Sequence, residues 1–137
     1  MGESEKIKIR AGEISLLDDD IIIITMAANY EITIEDVDEI DKHVVVLTRN
    51  QPYFAVTITQ QGSTASKETK EYAAKESFRK NIIAQAIVIA NIAVRLMATT
   101  YMRINRPKQK IKLFNSREEA LRWIHLLKIR GKNTNSN

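Results

Sequence analysis

Cysteine is absent from the 137-residue chain, and histidine occurs only at His43 and His125. Without cysteine the chain can form neither a disulfide framework nor a thiolate metal site, and two isolated imidazoles do not indicate a metal cluster. We therefore expect no metal and no cofactor, and a stability that comes from packing. Because 44% of the residues are hydrophobic, a chain of this length suits one compact globular domain with a real hydrophobic core.

Long apolar runs are missing as well. No stretch approaches the roughly 20 residues that a helix needs to span a bilayer. The N-terminal residues MGESEK also lack the order of a secretion signal, in which basic residues precede an apolar segment. The sequence therefore predicts a cytoplasmic protein without a membrane span.

Aromatic residues make up only 6% of the chain, which bears on nucleic-acid binding. Proteins that bind single strands combine positive charge with aromatic stacking platforms, and here the aromatic residues are not interleaved with the basic ones. We therefore expect no nucleic-acid partner, and we interpret the lysines near the last strand as protection of a sheet edge against aggregation. The basic residues in question are Arg95, Arg103, Arg106, Lys108, Lys110 and Lys112.

The net charge of +4 conceals an asymmetry between the two parts of the chain. Residues 1–42 contain twelve acidic and four basic side chains, whereas residues 43–137 contain five acidic and seventeen basic ones. The two regions should attract each other. Two interpretations stay open: acidic and basic elements that lie side by side in one fold, or a basic surface that meets an acidic partner.

The hydrophobic pattern predicts secondary structure in the order βββαβαβαβα. Three short strands come first (KIKIR, EISLL and DIIIITM), followed by a helix with Thr33 as its N-cap. This order is typical of an α/β domain with one mixed sheet and right-handed crossovers. The remaining elements are the strand PYFAVTI, a Lys/Glu helix to about Arg79, a strand at 82–90, a helix over 91–105, the strand KQKIKLF and a helix capped by Ser116 and Glu119.

The same pattern sets the limits of the domain. Residues 1–130 carry all of the predicted elements, and we assign them to one domain. Residues 131–137, GKNTNSN, are polar, and we expect them to form a disordered tail.

The segment TQQGSTASKETKEY gathers hydroxyl groups where a strand is predicted to pass into a helix. The simplest interpretation is that Ser66 is the N-cap of that helix and accepts a hydrogen bond from the amide of Glu68 or Thr69. A functional interpretation stays open, because the N-terminus of a helix stabilises an anion. A phosphate on Ser66, or an anionic ligand beside Ser63 and Thr64, would be favourably placed there.

No other group of residues in the sequence indicates chemistry. Asp18, Asp19 and Asp20 follow one another at a predicted tight turn, so they lack the alternate ligand spacing of a calcium loop. The sequence contains no serine–histidine–aspartate order, phosphate-binding glycine motif or metal motif. We therefore expect a protein that is not an enzyme.

Three stretches carry a resemblance to a known family: PYFAVTITQQGSTASKETKEYAAKE, RINRP and, above all, KLFNSREEALRWI. Together they resemble the small bacterial STAS-like proteins, which are relatives of the anti-sigma factor antagonists and of the STAS domains of sulfate transporters. The similarity covers residues 13–127. It implies a STAS-like fold and a non-enzymatic regulatory module that binds a protein partner.

The resemblance also bears on Ser66. In anti-sigma factor antagonists, the segment between the middle strand and the next helix carries a serine that a partner kinase phosphorylates, and Ser66 is the nearest match by position. The family pattern differs here at two points: Thr57 stands in place of an aspartate in the preceding strand, and Ser66 is followed by Lys67 and Glu68. A phosphoacceptor role for Ser66 thus rests on position and not on a matched signature.

The predicted helix over 91–105 has more apolar surface than one face needs. Methionine suits an adaptable apolar surface, and the residues in question are Leu96, Met97, Tyr101 and Met102. Three interpretations stay open for them: packing inside the monomer, a homodimer interface, or the wall of a pocket. A pocket would favour the alternative function, binding of a small apolar ligand or a lipid.

Overall fold

The computed structural model describes residues 2–75, 80–89, 96 and 110–135. The helices in these ranges are α1 (Ile34–Thr48), α2 (Lys67–Ala73) and α3 (Arg117–Asn135). The strands are β1 (Ile7–Ile9), β2 (Gly12–Leu17), β3 (Ile21–Met26), β4 (Glu31–Ile32), β5 (Tyr53–Ile58), β6 (Thr64–Ala65), β7 (Ile82–Val88) and β8 (Lys110–Phe114).

The main sheet has six strands in the order β1-β2-β3-β5-β7-β8. The first three pair antiparallel, and β3, β5, β7 and β8 pair parallel. The prediction of one mixed α/β sheet that opens with an antiparallel meander is thus confirmed. β4 and β6 form a second, two-stranded parallel sheet, which the sequence did not predict because strands of two residues have no readable period.

Helices cover both faces of the sheet, which explains why β3 is apolar along most of its length. Ile21 and Ile23 pack with Ile124 of α3 on one face. Ile22, whose side chain points the other way, packs with Val44 of α1. α2 lies beside α1. Among the three helices described here, α3 therefore covers one face of the sheet, and α1 and α2 cover the other.

Acidic side chains from the first part of the chain meet basic side chains of α3. Glu3 pairs with Arg117 at 2.6 Å, and the Asp20 carboxylate accepts a hydrogen bond from Lys128 Nζ at 3.0 Å. Asp18, in the turn between β2 and β3, lies 3.6 Å from the imidazole of His125. The attraction inferred from the charge asymmetry is therefore exerted within the fold, and an acidic partner for the remaining basic surface stays a prediction.

The start of α1 confirms the N-cap prediction for Thr33. The Thr33 hydroxyl oxygen accepts from the backbone N–H of Asp36 at 3.1 Å, and the Asp36 carboxylate accepts from the backbone N–H of Thr33 at 2.9 Å. The same carboxylate accepts the hydroxyl protons of Thr33 at 3.0 Å and of Tyr30 at 2.7 Å. Asp36 is thus a buried carboxylate with three donors.

Three boundaries differ from the predicted ones or lie outside the described residues. α2 ends at Ala73 and not near Arg79; residues 76–79 lie outside the described ranges. α3 continues to Asn135, so residues 131–135 are helical where we expected disorder; a glycine such as Gly131 inside a helix costs only about 1 kcal/mol. The predicted helix over 91–105 falls outside the described residues, apart from Leu96, which is helical.

One further fold-level prediction concerns the membrane. Within the ranges given above, no helix combines the length and the apolar character that crossing a bilayer requires.

Candidate functional site

Two loops meet where β3 and β5 end, and we call residues 27–33 together with residues 59–66 the loop platform. Within it, β4 and β6 pair side by side, with Glu31 opposite Thr64. The backbone N–H of Asn29 donates to the carbonyl of Gln61 at 2.9 Å, and the N–H of Thr64 donates to the carbonyl of Tyr30 at 3.1 Å. Backbone hydrogen bonds therefore fix the two loops to each other.

Side chains add further links within the loop platform. The Ser63 hydroxyl donates to the carbonyl of Ala27 at 2.7 Å and accepts from the backbone N–H of Gln60 at 3.2 Å. The side-chain amide of Gln60 donates to the carbonyl of Met26 at 2.9 Å. Ser63, which the sequence suggested as a neighbour of a bound anion, thus has its hydroxyl engaged in holding the loops together.

Gly62 is required where the loops approach most closely. Its φ is +77°, in the left-handed region that side chains disfavour. A Cβ atom at this position would collide with Asn29 Oδ1 and would lie 2.9 Å from Asn29 Cα. A glycine is therefore the residue that lets the backbone of residues 59–66 lie against that of residues 27–33.

Ser66 lies at the boundary between the loop platform and α2. Its hydroxyl oxygen accepts from the backbone N–H of Thr69 at 3.1 Å, and the two hydroxyl groups are 3.0 Å apart. The N-cap interpretation is confirmed. Ser66 and Thr64 are both exposed, and their roles as a phosphoacceptor and an anion ligand stay predictions.

Two substitutions at Ser66 separate capping from other roles. Ser66→Ala is expected to lower the free energy of unfolding by about 1 kcal/mol, because the N–H of Thr69 loses its acceptor. Ser66→Asp is expected to leave it nearly unchanged, since aspartate caps as well as serine. Urea denaturation followed by circular dichroism measures both, and an equal loss in the two variants would contradict the capping role.

A cleft of about 350 Å³ adjoins the loop platform. Ala27 and Gln60 of the platform line it, together with Lys8 of β1 and Glu13 and Thr25 of the neighbouring strands. The cleft thus combines both signs of charge with neutral hydrogen-bonding groups.

A second space of about 400 Å³, which we call the apolar cavity, lies between the sheet, α1 and α2. Its apolar wall includes Ile24, Val37, Ile40, Val44, Ile87 and Ile111. The polar residues that line it are Asp41, Tyr53, Thr57, Lys70 and Gln85. Sequence reasoning missed this cavity, although Thr57 and Gln85 gave a signal: each places a polar side chain in an otherwise apolar strand.

Two of the polar residues that line the apolar cavity, Tyr53 and Asp41, have a raised pKa. Burial and the nearby Asp41 carboxylate raise the pKa of Tyr53 to about 12. Burial, together with the Asp38 carboxylate, also raises the pKa of Asp41, against the opposing effect of Lys80. Tyr53 is therefore a neutral phenol, able to donate a hydrogen bond, at every pH at which the protein would act.

Of the other predicted site residues, the structure describes only Leu96. Leu96 is helical and 64% exposed, whereas Met97, Tyr101 and Met102 lie outside the described residues. The homodimer surface expected from these four residues stays a prediction. In the part of the chain that the structure describes, no group of three or more His, Asp or Glu side chains could hold a metal ion.

Comparison with known proteins bears on the fold. Residues 15–128 match the model of a family described as a domain of unknown function, DUF7793. The chain is also similar to the crystal structure of an uncharacterised DUF3478-family protein with a SpoIIAA-like fold from Shewanella loihica PV-4. The TM-score is 0.56 at 13% identity, and the match covers 89% of this chain and 93% of the other. None of the curated proteins matches the sequence.

Proposed function

Because the chain belongs to the DUF7793 family and has a SpoIIAA-like, STAS-like fold, we propose that it is a non-enzymatic module that binds a protein partner through the loop platform. The proposal places the protein in the cytoplasm and makes the loop platform, with its adjoining cleft, the surface that the partner contacts. Fold alone does not determine function, so the argument rests on the properties of this surface.

The observation that carries the proposal is that hydrogen bonds fix the backbone of an exposed loop, residues 59–66. Exposed loops are ordinarily mobile, and ordering them on binding costs affinity. Here the hydrogen bonds made by Asn29, Ser63 and Thr64 hold residues 59–66 against residues 27–33 before any partner binds. The exposed side chains of Gln61, Thr64 and Ser66 are thereby presented on an ordered backbone.

The sequence resemblance supports the same surface. In anti-sigma factor antagonists, the segment that corresponds to residues 59–66 takes part in partner choice, and phosphate on its serine changes which partner is bound. Ser66 is exposed and so accessible to a kinase. A phosphate there would add close to two negative charges at the edge of the proposed interface, which would change the affinity of any partner that contacts it.

Affinity capture from native cell extract tests the proposal with three baits. These are the wild type, Thr64→Arg in the loop platform, and Arg122→Glu as a control at an exposed position on α3, a helix that packs on a face of the sheet and is not part of the platform. A protein retained by the wild type and the control, but lost with Thr64→Arg, is then purified. Its dissociation constant, measured by calorimetry, is expected to rise at least about tenfold in the Thr64→Arg variant.

Two results would reject the loop platform as the interface. One is a partner whose affinity is the same for the wild type and for Thr64→Arg. The other is a partner lost only with Arg122→Glu, which would place the interface on α3. Circular dichroism of each bait shows whether the comparison is made between folded proteins.

A further inference from the structure

Three small side chains contribute to the walls of the apolar cavity. Ala55 belongs to β5, Ala73 is the last residue of α2, and Ala74 is the C-cap that follows it. Larger residues at these positions would fill the space, since protein interiors are packed almost without voids. At about 400 Å³, the cavity falls in the size range of ligand pockets in proteins, about 300 to 1,000 Å³.

Two polar side chains that line this cavity, Tyr53 and Gln85, have fewer hydrogen bonds to the described residues than buried polar groups ordinarily make. Tyr53 is only 7% exposed, and its hydroxyl forms no hydrogen bond with any other residue that the structure describes. The Gln85 amide makes one long contact, 3.4 Å from its Nε2 to Thr57 Oγ1, which leaves its carbonyl oxygen unused. An unsatisfied group of this kind costs stability, so a bound molecule that pairs with it is favoured.

The charges around the cavity limit which ligands can bind there. Asp41 lines the cavity, and the pKa of the Asp41 carboxyl is raised by burial and by the nearby Asp38 carboxylate. An anionic head group inside the cavity would meet the repulsion of the Asp41 carboxylate; Asp38 is exposed, so water screens its charge. Lys70 also lines the cavity but is exposed, so its charge is screened by water. An uncharged hydrogen-bonding group suits this wall best.

We propose that the apolar cavity binds a small, uncharged, mostly apolar molecule that carries a hydroxyl group. Its hydrocarbon part lies against the isoleucines of the wall, and its hydroxyl donates to Asp41 and accepts from the Tyr53 hydroxyl. Ligand binding in the apolar cavity goes beyond partner binding at the loop platform and involves different residues. An experiment can therefore reject one of the two proposals without rejecting the other.

A matched pair of probes tests the ligand class. Decanol and decanoate have the same chain length and differ in the charge of the head group. Each is titrated into the full chain, and binding is followed by calorimetry and by amide chemical shifts in NMR spectra. We expect saturable binding of decanol, with shifts at Ala55, Ala73 and Gln85, and an affinity for decanoate at least about tenfold lower. Decanoate binding as tightly as decanol, or no saturable decanol binding, would overturn the proposal.

Two substitutions locate the site. Ala73→Leu fills the cavity and is expected to lower the affinity for decanol at least about tenfold, whereas Val46→Leu, at a position 74% exposed on α1, is expected to leave it unchanged. Tyr53→Phe keeps the ring and removes only the hydroxyl. Tyr53→Phe is expected to lower the affinity for decanol about fivefold without lowering the melting temperature of the free protein. If Ala73→Leu does not fold, the Tyr53→Phe variant alone tests whether decanol binds in the apolar cavity. Unchanged affinity in a folded Tyr53→Phe variant would show that decanol binds elsewhere.

Discussion

Replacing Gly12 with alanine is expected to lower the free energy of unfolding by about 3 to 5 kcal/mol, a large part of the stability of a domain of this size. Gly12 pairs with Met26 across β2 and β3 and has a φ of +148°. A Cβ atom would collide with the carbonyl oxygen of Thr25 and would lie 3.1 Å from the backbone N of Ala27. Both are backbone atoms, so no side-chain rotation relieves the collision, and the strained φ adds to it.

Gly131→Ala is the matched control for this substitution. A Cβ atom at Gly131 would have no neighbour within 4 Å, and alanine is the better residue inside a helix by about 1 kcal/mol. Urea unfolding of the two variants beside the wild type gives both differences. A Gly12→Ala protein as stable as the Gly131→Ala protein would contradict this prediction, because it would mean that the backbone around Gly12 shifts to accept a Cβ atom without loss of stability.

Substitution of Asp36 by alanine is the second change with a large expected effect, about 3 kcal/mol. The buried carboxylate accepts from the backbone N–H of Thr33 and from the hydroxyls of Thr33 and Tyr30, so its removal leaves three donors without this acceptor. Glu35→Ala changes the neighbouring acid, which is exposed. The control should cost at most about 1 kcal/mol through the helix dipole.

The same carboxylate makes stability depend on pH. Burial alone would raise the pKa of Asp36, but hydrogen bonds from Thr33 and Tyr30 outweigh it and hold the pKa below its ordinary value of 3.8. Because the folded pKa is depressed, this contribution to stability is fully present above the unfolded pKa and is lost as the pH falls through the folded one. Thermal melts of Asp36→Asn should therefore decline less steeply below about pH 4 than those of the wild type; parallel declines would contradict the assignment.

The parts of the fold that sequence predicts well depend on neighbours in the chain. The N-caps Thr33 and Ser66 are local signals, because donor and acceptor lie three residues apart. The continuous apolar character of the strand at Ile21–Met26 correctly indicates a strand covered on both faces. The loop platform could not be predicted in this way, because Asn29 and Gln61 are far apart in the sequence and neither belongs to a periodic pattern.

The apolar cavity could not be predicted from the sequence either. Its walls come from α1, α2 and four strands, so it depends on how separate segments of the chain pack together. Ala55 and Ala73 form no distinct pattern in their own segments, and their small size gains a meaning only because both line the cavity. The hydroxyl of Tyr53 likewise becomes informative only when the structure shows a buried residue whose hydroxyl has no hydrogen-bond partner among the described residues.

The order of strands in the sheet also sets an order of assembly. β1, β2 and β3 are joined by short turns and can pair as soon as they are synthesised, because local contacts close with little loss of chain entropy. β5, β7 and β8 can each join only after the strand before them is in place. α3 rests on β5, β7 and β8 together, so it docks last, and until then Ile21, Ile23 and Val56 face water. The chain therefore exposes this apolar face of the sheet until α3 docks, which is the stage at which chaperones would contact it and at which aggregation competes with folding.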